Sequence, residues 1–181
     1  MKKKSIKAHL KPYSILQKRK TTINHAFASA LAPNDNYEEQ VIDEALSFLG
    51  QNPNEDLDCV YCGKKAETWD HLVGLVKNSE LRGYGHRIGN LVPCCRNCNS
   101  KKGSKDWQQF IQFQIEDEQK RLGIEARLRM YLERYAKLVD VSMIKKEMPQ
   151  EWAKYIELKD QIFELMKEAD KIAEKIRKND L

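Results

Sequence analysis

Apolar residues recur at helical spacing over both ends of the chain and at strand spacing near its middle. Thr21 to Leu31 reads as a short helix, with Thr21 or Thr22 available as N-cap. Pro33-Asn34-Asp35-Asn36 is a turn. Tyr37 to Leu49 is an amphipathic helix with Val41, Ala45, Phe48 and Leu49 on one face and Gly50 as its stop. A polar loop runs from Gln51 to Asp58. Thr68 to Val76 alternates as a strand through Trp69, His71 and Val73. Asn78 to Gly85 is a loop punctuated by Gly83 and Gly85, and Arg87 to Val92 returns as the partner strand, ended by Pro93. A short helix begins near Cys95 and stops at Gly103.

The rest is helical. Trp107 to Lys120 forms one helix, Gly123 breaks or bends the chain, and Ile124 to Leu138 continues as helix. Pro149 opens the last helix at its first position. Tyr155, Leu158, Ile162, Leu165, Ala169, Ile172 and Ile176 space that helix as a heptad seam. Ile156, Phe163 and Met166 widen the stripe. The pattern therefore favours packing on the chain's own helices of residues 107–139, with a homodimer through the C-terminal helices as the second reading. The fold class is α+β, in three parts: a basic arm with N-terminal helices (1–58), a cysteine-bearing core (59–105) and a C-terminal helical region (106–181).

Charge is distributed unevenly. Residues 1–20 hold eight Lys or Arg and no acid, residues 33–58 hold eight acids and no Lys or Arg, and residues 59–107 hold nine basic against four acidic residues. Positive charge thus gathers in the arm and around the cysteines, as a polyanionic partner would require; a solvated tail is the competing reading for residues 1–12. No apolar run approaches the roughly 18 residues of a membrane span. The basic start is not succeeded by the apolar stretch of a signal peptide. The expected location is the cytoplasm, with no membrane partner.

Two pairs, Cys59-x2-Cys62 and Cys95-x2-Cys98, can close a tetrahedral four-thiolate zinc site. In a reducing compartment such pairs bind metal rather than form disulfides. A closed site is structural, so any chemistry lies in what the zinc holds: Asp70 beside His71, then Asn90, then Asn99. A general base, a hard-metal ligand and an amide oxygen around a zinc knuckle suggest metal-assisted phosphodiester cleavage. Cys94 reads as a small buried residue. His86 could touch a scissile phosphate, but a loop histidine without a role is the plainer reading. His9 and His25 lie outside the motif.

The stretches Cys59-Val60-Tyr61-Cys62-Gly63, Trp69-Asp70-His71-Leu72 and Gly89 to Gly103, with its Asn90-Leu91-Val92-Pro93 and Cys98-Asn99-Ser100-Lys101-Lys102-Gly103, resemble the HNH endonuclease family. The likeness covers about a quarter of the chain. It implies a zinc-stabilised ββα-metal core with N-terminal and C-terminal helical extensions. It places His71 as general base, Asp70 and Asn99 as ligands of a catalytic Mg²⁺ or Mn²⁺, and Asn90 as the motif's middle asparagine, bonding backbone across the hairpin loop to orient His71. Helix capping is the competing role for Asn99. Asp70 and His71 would point to opposite faces of a regular strand, so a bulge or bend is needed for both to reach one phosphate. Arg82, Arg87, Arg96, Lys101, Lys102 and Lys105 surround the site and are expected to contact phosphates, Lys102 alternatively bracing the knuckle. The implied activity is DNA hydrolysis, in restriction or anti-phage defence. A non-catalytic zinc-stabilised DNA-binding module and an RNA-cleaving or toxin-like nuclease are the alternatives.

Overall fold

The computed structural model describes residues 3–77 and 80–180. Met1 and Lys2 of the basic arm, and Asn78, where the loop was expected to open, lie outside them. The described chain forms two compact units, one of residues up to Phe27 with residues from Ser142 onward, the other of Ala28–Val141. The fold is α+β: a small antiparallel hairpin core with helical extensions.

In the first unit, a 3-10 turn (Lys3–Ala8) precedes α1 (Ile15–Leu31), and α7 (Pro149–Asp180) comes after α6 (Val141–Glu147). The first helix starts well before Thr21 because capping groups are supplied upstream. Ser14 Oγ accepts from Gln17 N (3.2 Å), and Asp170 of α7 accepts from Ile15 N (2.7 Å) and Leu16 N (3.1 Å). The Ile15 amide is the main reason that the Asp170 carboxyl lies below its ordinary range. Farther along, Tyr155 donates to Phe27 O at 3.0 Å and packs on the Phe27 ring. The two helices therefore run antiparallel. The last helix forms its unit with residues up to Phe27, where the sequence pattern had pointed to residues 107–139. Of its expected seam, Leu158, Leu165, Ile172 and Ile176 are exposed.

The second unit contains the hairpin. α2 (Glu39–Phe48) leads to β1 (Thr68–His71), β2 (Val76–Lys77), β3 (Glu80–Leu81), β4 (Leu91–Cys94) and α3 (Arg96–Lys102). α4 (Trp107–Gln114) and α5 (Glu118–Tyr135) complete it. β1 and β4 pair antiparallel, Thr68 opposite Cys94 through His71 opposite Leu91. Leu49, Tyr61, Leu72, Val92, Trp107, Phe110, Ile111, Leu128 and Tyr131 bury the core beneath them.

Several boundaries differ from the sequence expectation for identifiable reasons. β1 ends at His71; Leu72 N still donates to Asn90 O at 2.8 Å, and the Asn90 side chain then takes both the N–H and the C=O of Val73, holding the chain in the loop. Pro93 lies inside β4 rather than ending it. Its carbonyl faces outward, accepting from Val60 N at 3.1 Å, so its missing N–H falls on the side that has no ladder bond to lose. The break expected at Gly123 falls instead at Ile115 to Asp117, where Asp117 Oδ1 accepts from Lys120 N (2.9 Å) and starts α5; Gly123 lies within that helix.

Gly85 carries a positive φ of 67°, and a Cβ added there would collide with the Pro33 carbonyl oxygen. Gly85→Ala should therefore lower stability by more than about 1 kcal/mol, measured by urea unfolding.

Candidate active site and zinc knuckle

The knuckle begins with a tight turn. Gly63 N donates to Cys59 O at 2.8 Å, and Gly63 adopts φ 70°, which lets the chain reverse below Cys62. The second pair sits where β4 passes into α3. Cys95 is the N-cap, its sulfur accepting from Cys98 N at 3.4 Å. The four Sγ atoms of Cys59, Cys62, Cys95 and Cys98 all lie within 4.8 Å of one another, and Cys62 and Cys95 are 3.7 Å apart. Thiolates about 2.3 Å from a common tetrahedral centre stand about 3.8 Å apart, so the donor set fits zinc. Burial pushes the Cys62 and Cys98 thiols up in the absence of a counter-charge. A doubly charged cation among them would reverse that cost.

Cys94 lies outside the four-sulfur group. It is fully buried, its sulfur lies 4.0 Å from Cys59 Sγ, and its own thiol donates to Cys95 O at 3.3 Å. The contact between the two sulfurs is the largest cause drawing Cys59 down to about 4, and the same contact with burial pushes Cys94 up. Cys94 thus supports a ligand sulfur without being one of the four.

Asp70 and His71 end β1 in regular one-to-one register with Val92 and Leu91, so the expected bulge is absent and the two side chains diverge. Asp70 turns inward, 6% exposed. Its Oδ2 accepts from Tyr61 OH at 2.7 Å, and Lys102 Nζ stands 3.2 Å from Oδ1 and 3.0 Å from Oδ2. Lys102 also donates to His71 O at 2.7 Å. Burial first, and then the Asp70 charge, push the Tyr61 phenol well above its ordinary value. As these side chains stand, Asp70 does not fit a catalytic cation, because a buried ammonium already neutralises it. Lys102 is 2% exposed and cannot meet phosphate, so it is corrected from a nucleic-acid contact to a brace of the hairpin.

His71 is partly exposed. Its Nε2 lies 3.0 Å from His86 Nδ1, with ring centroids 5.0 Å apart. Sequence reasoning treats His86 as a bare loop residue; no spacing rule connects it to His71, and the loop fold alone brings them together. Asn90 is fully buried. Its Oδ1 accepts from Val73 N (2.8 Å), and its Nδ2 donates to Val73 O (3.1 Å) and Gly85 O (2.9 Å). Asn90 therefore bonds backbone across the loop, as expected, and acts by positioning rather than by touching a substrate.

Asn99 sits in the middle of α3, so the capping role passes to Cys95. Its Nδ2 lies 3.5 Å from Thr68 Oγ1 and 3.4 Å from Trp69 O, against β1. Of the remaining basic residues, Arg87 is committed inside the unit: its Nε lies 3.5 Å from Asp35 Oδ1 and its guanidinium donates to Lys137 O at 2.8 Å. It is corrected from a phosphate contact to a loop brace. Arg82 is partly buried. Arg96, beside Glu67, and Lys101 and Lys105 are exposed on or just after α3.

Two variants check these placements. Cys94→Ala should retain one zinc per chain and Cys95→Ala should lose it, read by metal analysis of purified protein. Lys102→Met should cost about 3–5 kcal/mol by leaving a buried carboxylate unpaired, and the double variant with Asp70→Asn should recover part of that in urea unfolding.

Residues 59–105 match the model of the HNH endonuclease family. Neither a curated protein nor a solved structure matches the chain. Among the described residues no helix is long and apolar enough to cross a membrane. The matched residues run from the first zinc-competent cysteine to just past α3, and within them lie the paired cysteines, the β1–β4 hairpin and His71. Residues 59–105 are thus an HNH endonuclease domain, the nuclease-type core of a chain extended by helices on both sides.

Proposed function

We propose that this protein is an endonuclease that hydrolyses phosphodiester bonds in DNA, with His71 as general base, and that it serves restriction or other defence against foreign DNA. The observation that carries the reading is the way His71 is presented. An imidazole at the end of a short strand is fixed through a buried carboxamide, a buried lysine and a second imidazole. A module that only binds DNA needs no imidazole held in this way. A neutral imidazole can act as general base toward water.

The water's oxygen then attacks phosphorus in line and the opposite ester oxygen leaves. Arg96, Lys101 and Lys105 offer exposed charge by which phosphates can be oriented without sequence being read. Mg²⁺ or Mn²⁺ remains part of the reading as the family's customary ion, with Asn99 as its donor in this chain. Recruitment of Asp70 to that ion would require Lys102 to release it, so no step is assigned through the ion. The exposed face of α7 is the surface a second copy would use, since one such centre cuts one strand.

Incubating the chain with supercoiled plasmid and with RNA, in Mg²⁺, Mn²⁺ or EDTA, tests the reading. Plasmid cleavage should require divalent cation, and His71→Ala should lower its rate at least about 100-fold while zinc content and DNA affinity persist. Wild-type rates in that variant would overturn the assignment of the base, and cleavage confined to RNA would overturn that of the substrate.

A further inference from the structure

The hairpin face that carries His71 also walls a cavity. Side chains alternate along β1, so Trp69 shares the face of His71 while Asp70 turns inward. Leu91 lies directly opposite His71 across the ladder, and side chains so opposed share a face with Cβ atoms about 4.5–5.5 Å apart. Trp69 and Leu91, with Tyr37, Leu46 of α2, Ile88 and Tyr131, line a cavity of about 300 Å³. Its walls are hydrocarbon and aromatic ring, and the Tyr131 hydroxyl is spent on Leu91 O at 2.9 Å. Asp35 Oδ2 accepts from Ile88 N at 2.9 Å, which holds the segment leading to Tyr37 against the loop leading to Leu91. Trp69 is 49% and Tyr37 81% exposed, so two aromatic rings stand where the cavity meets solvent.

We propose that this cavity receives one unstacked base of a single-stranded DNA segment, held on the rings of Trp69 and Tyr37, with an adjoining phosphate of the same strand at His71. The proposal rests on the reading of the chain as a DNA endonuclease and narrows its substrate to unpaired strand. Every base has a π-face, and exposed aromatic rings hold unpaired nucleic acid by stacking on it. A paired base shows only its edges, and walls without hydrogen-bonding groups offer an edge nothing. A base must therefore leave its stack to enter, which costs least where it is already unpaired. For the same reason the cavity does not select among bases by hydrogen bonding.

Charge decides which part of a nucleotide enters. Glu38 and Glu39 come directly after Tyr37, and both are exposed, so phosphate is repelled from the α2 side. The exposed cations Arg96, Lys101 and Lys105 lie on or just after α3, which Asn99 ties to β1 at the Trp69 carbonyl. The backbone is thus drawn toward the hairpin and its helix, and the uncharged base is the part that faces α2. The cavity is at the small end of ligand sites, which run about 300–1,000 Å³, and suits one ring system rather than a base pair. Because Trp69 and Leu91 flank His71, a base seated between them carries its own phosphate to the candidate base.

The test uses the zinc-loaded full chain, without added Mg²⁺ or Mn²⁺, and three labelled probes read by fluorescence anisotropy. They are an oligothymidylate strand, a strand of equal length whose sugars are abasic tetrahydrofurans, and the oligothymidylate annealed to oligoadenylate. The wild type should bind the base-bearing strand at least about 10-fold more tightly than the abasic one, which has the same phosphates. Trp69→Ala and Tyr37→Ala should each weaken the base-bearing strand roughly 10-fold and leave the duplex unchanged. The slope of affinity against salt should not move, because the lost contact carries no charge. Trp69→Phe, which keeps a ring face, should retain most of the affinity. Zinc content identifies any variant that fails to fold, and the exposed Tyr37 can be truncated without a core defect. With Mg²⁺ added, an abasic strand carrying one thymine should be cut at a phosphate adjoining it. Equal affinity of the wild type for the two strands, or alanine variants that weaken the duplex as much as the strand or leave both unchanged, would overturn the proposal, as would cuts scattered along the one-thymine strand. Ring-dependent strand binding by a chain that cleaves no nucleic acid would sustain the base in the cavity and sink the nuclease reading.

Discussion

One buried carboxamide governs the geometry of this domain. Burying an amide without partners costs roughly 2–7 kcal/mol, so Asn90, fully buried, is tolerable only where its polar atoms are met. They are met by main chain from two separate places, Val73 and Gly85. The need of the side chain for partners thus becomes a constraint on where the two ends of the loop lie. It holds the chain just after β1 and the reversal at Gly85, on either side of the two imidazoles. The four sulfurs act at the opposite end of the same hairpin, joining the turn before β1 to the start of α3. With both ends restrained, strands of four residues suffice, although an isolated two-stranded hairpin is marginal in water.

The Asp70–Lys102–Tyr61 group restrains the hairpin from beneath. A buried ion pair stabilises little relative to apolar residues of the same volume, because removing both charges from water offsets the attraction. Its consequence is specificity of arrangement. Lys102 cannot leave without stranding Asp70, and it also donates to the carbonyl of His71. Helix α3 and strand β1 are therefore registered by one ammonium at His71 and the residue before it. A cation site built from the same carboxylate would have to displace that registration.

How much of this was legible in the sequence depends on how local each interaction is. The cluster of four cysteines, the short helix after the second pair, the stop at Gly50 and the start at Pro149 depend on neighbouring residues, and each lies where its spacing placed it. The backbone role of Asn90 was legible from its place in the motif. The start of α1 was not, because its capping carboxylate comes from α7. Nor was it legible that Pro93 would lie inside β4, because that depends on which way its carbonyl faces. Nor was the burial of Lys102 or the commitment of Arg87, since a lysine or arginine in a basic segment gives no local sign that it faces inward.

The same reasoning explains why His86 was invisible while His71 was not. His71 is marked by its neighbours in the chain: an acid before it and cysteine pairs on either side. His86 is marked only by a contact across the loop, and that contact needs three independent conditions: a glycine at Gly85, an extended Pro33–Asp35 segment to bond its backbone, and Asn90 to close the loop. None of these lies in the strands of the β1–β4 hairpin, and Pro33–Asp35 precedes the matched domain altogether. The segment before the domain therefore contributes to the geometry of the centre inside it. Charge agrees with this placement: Asp35, from the acidic stretch, meets both the backbone at Ile88 and the side chain of Arg87. Those contacts turn an acidic stretch into structural support for the loop that carries His86.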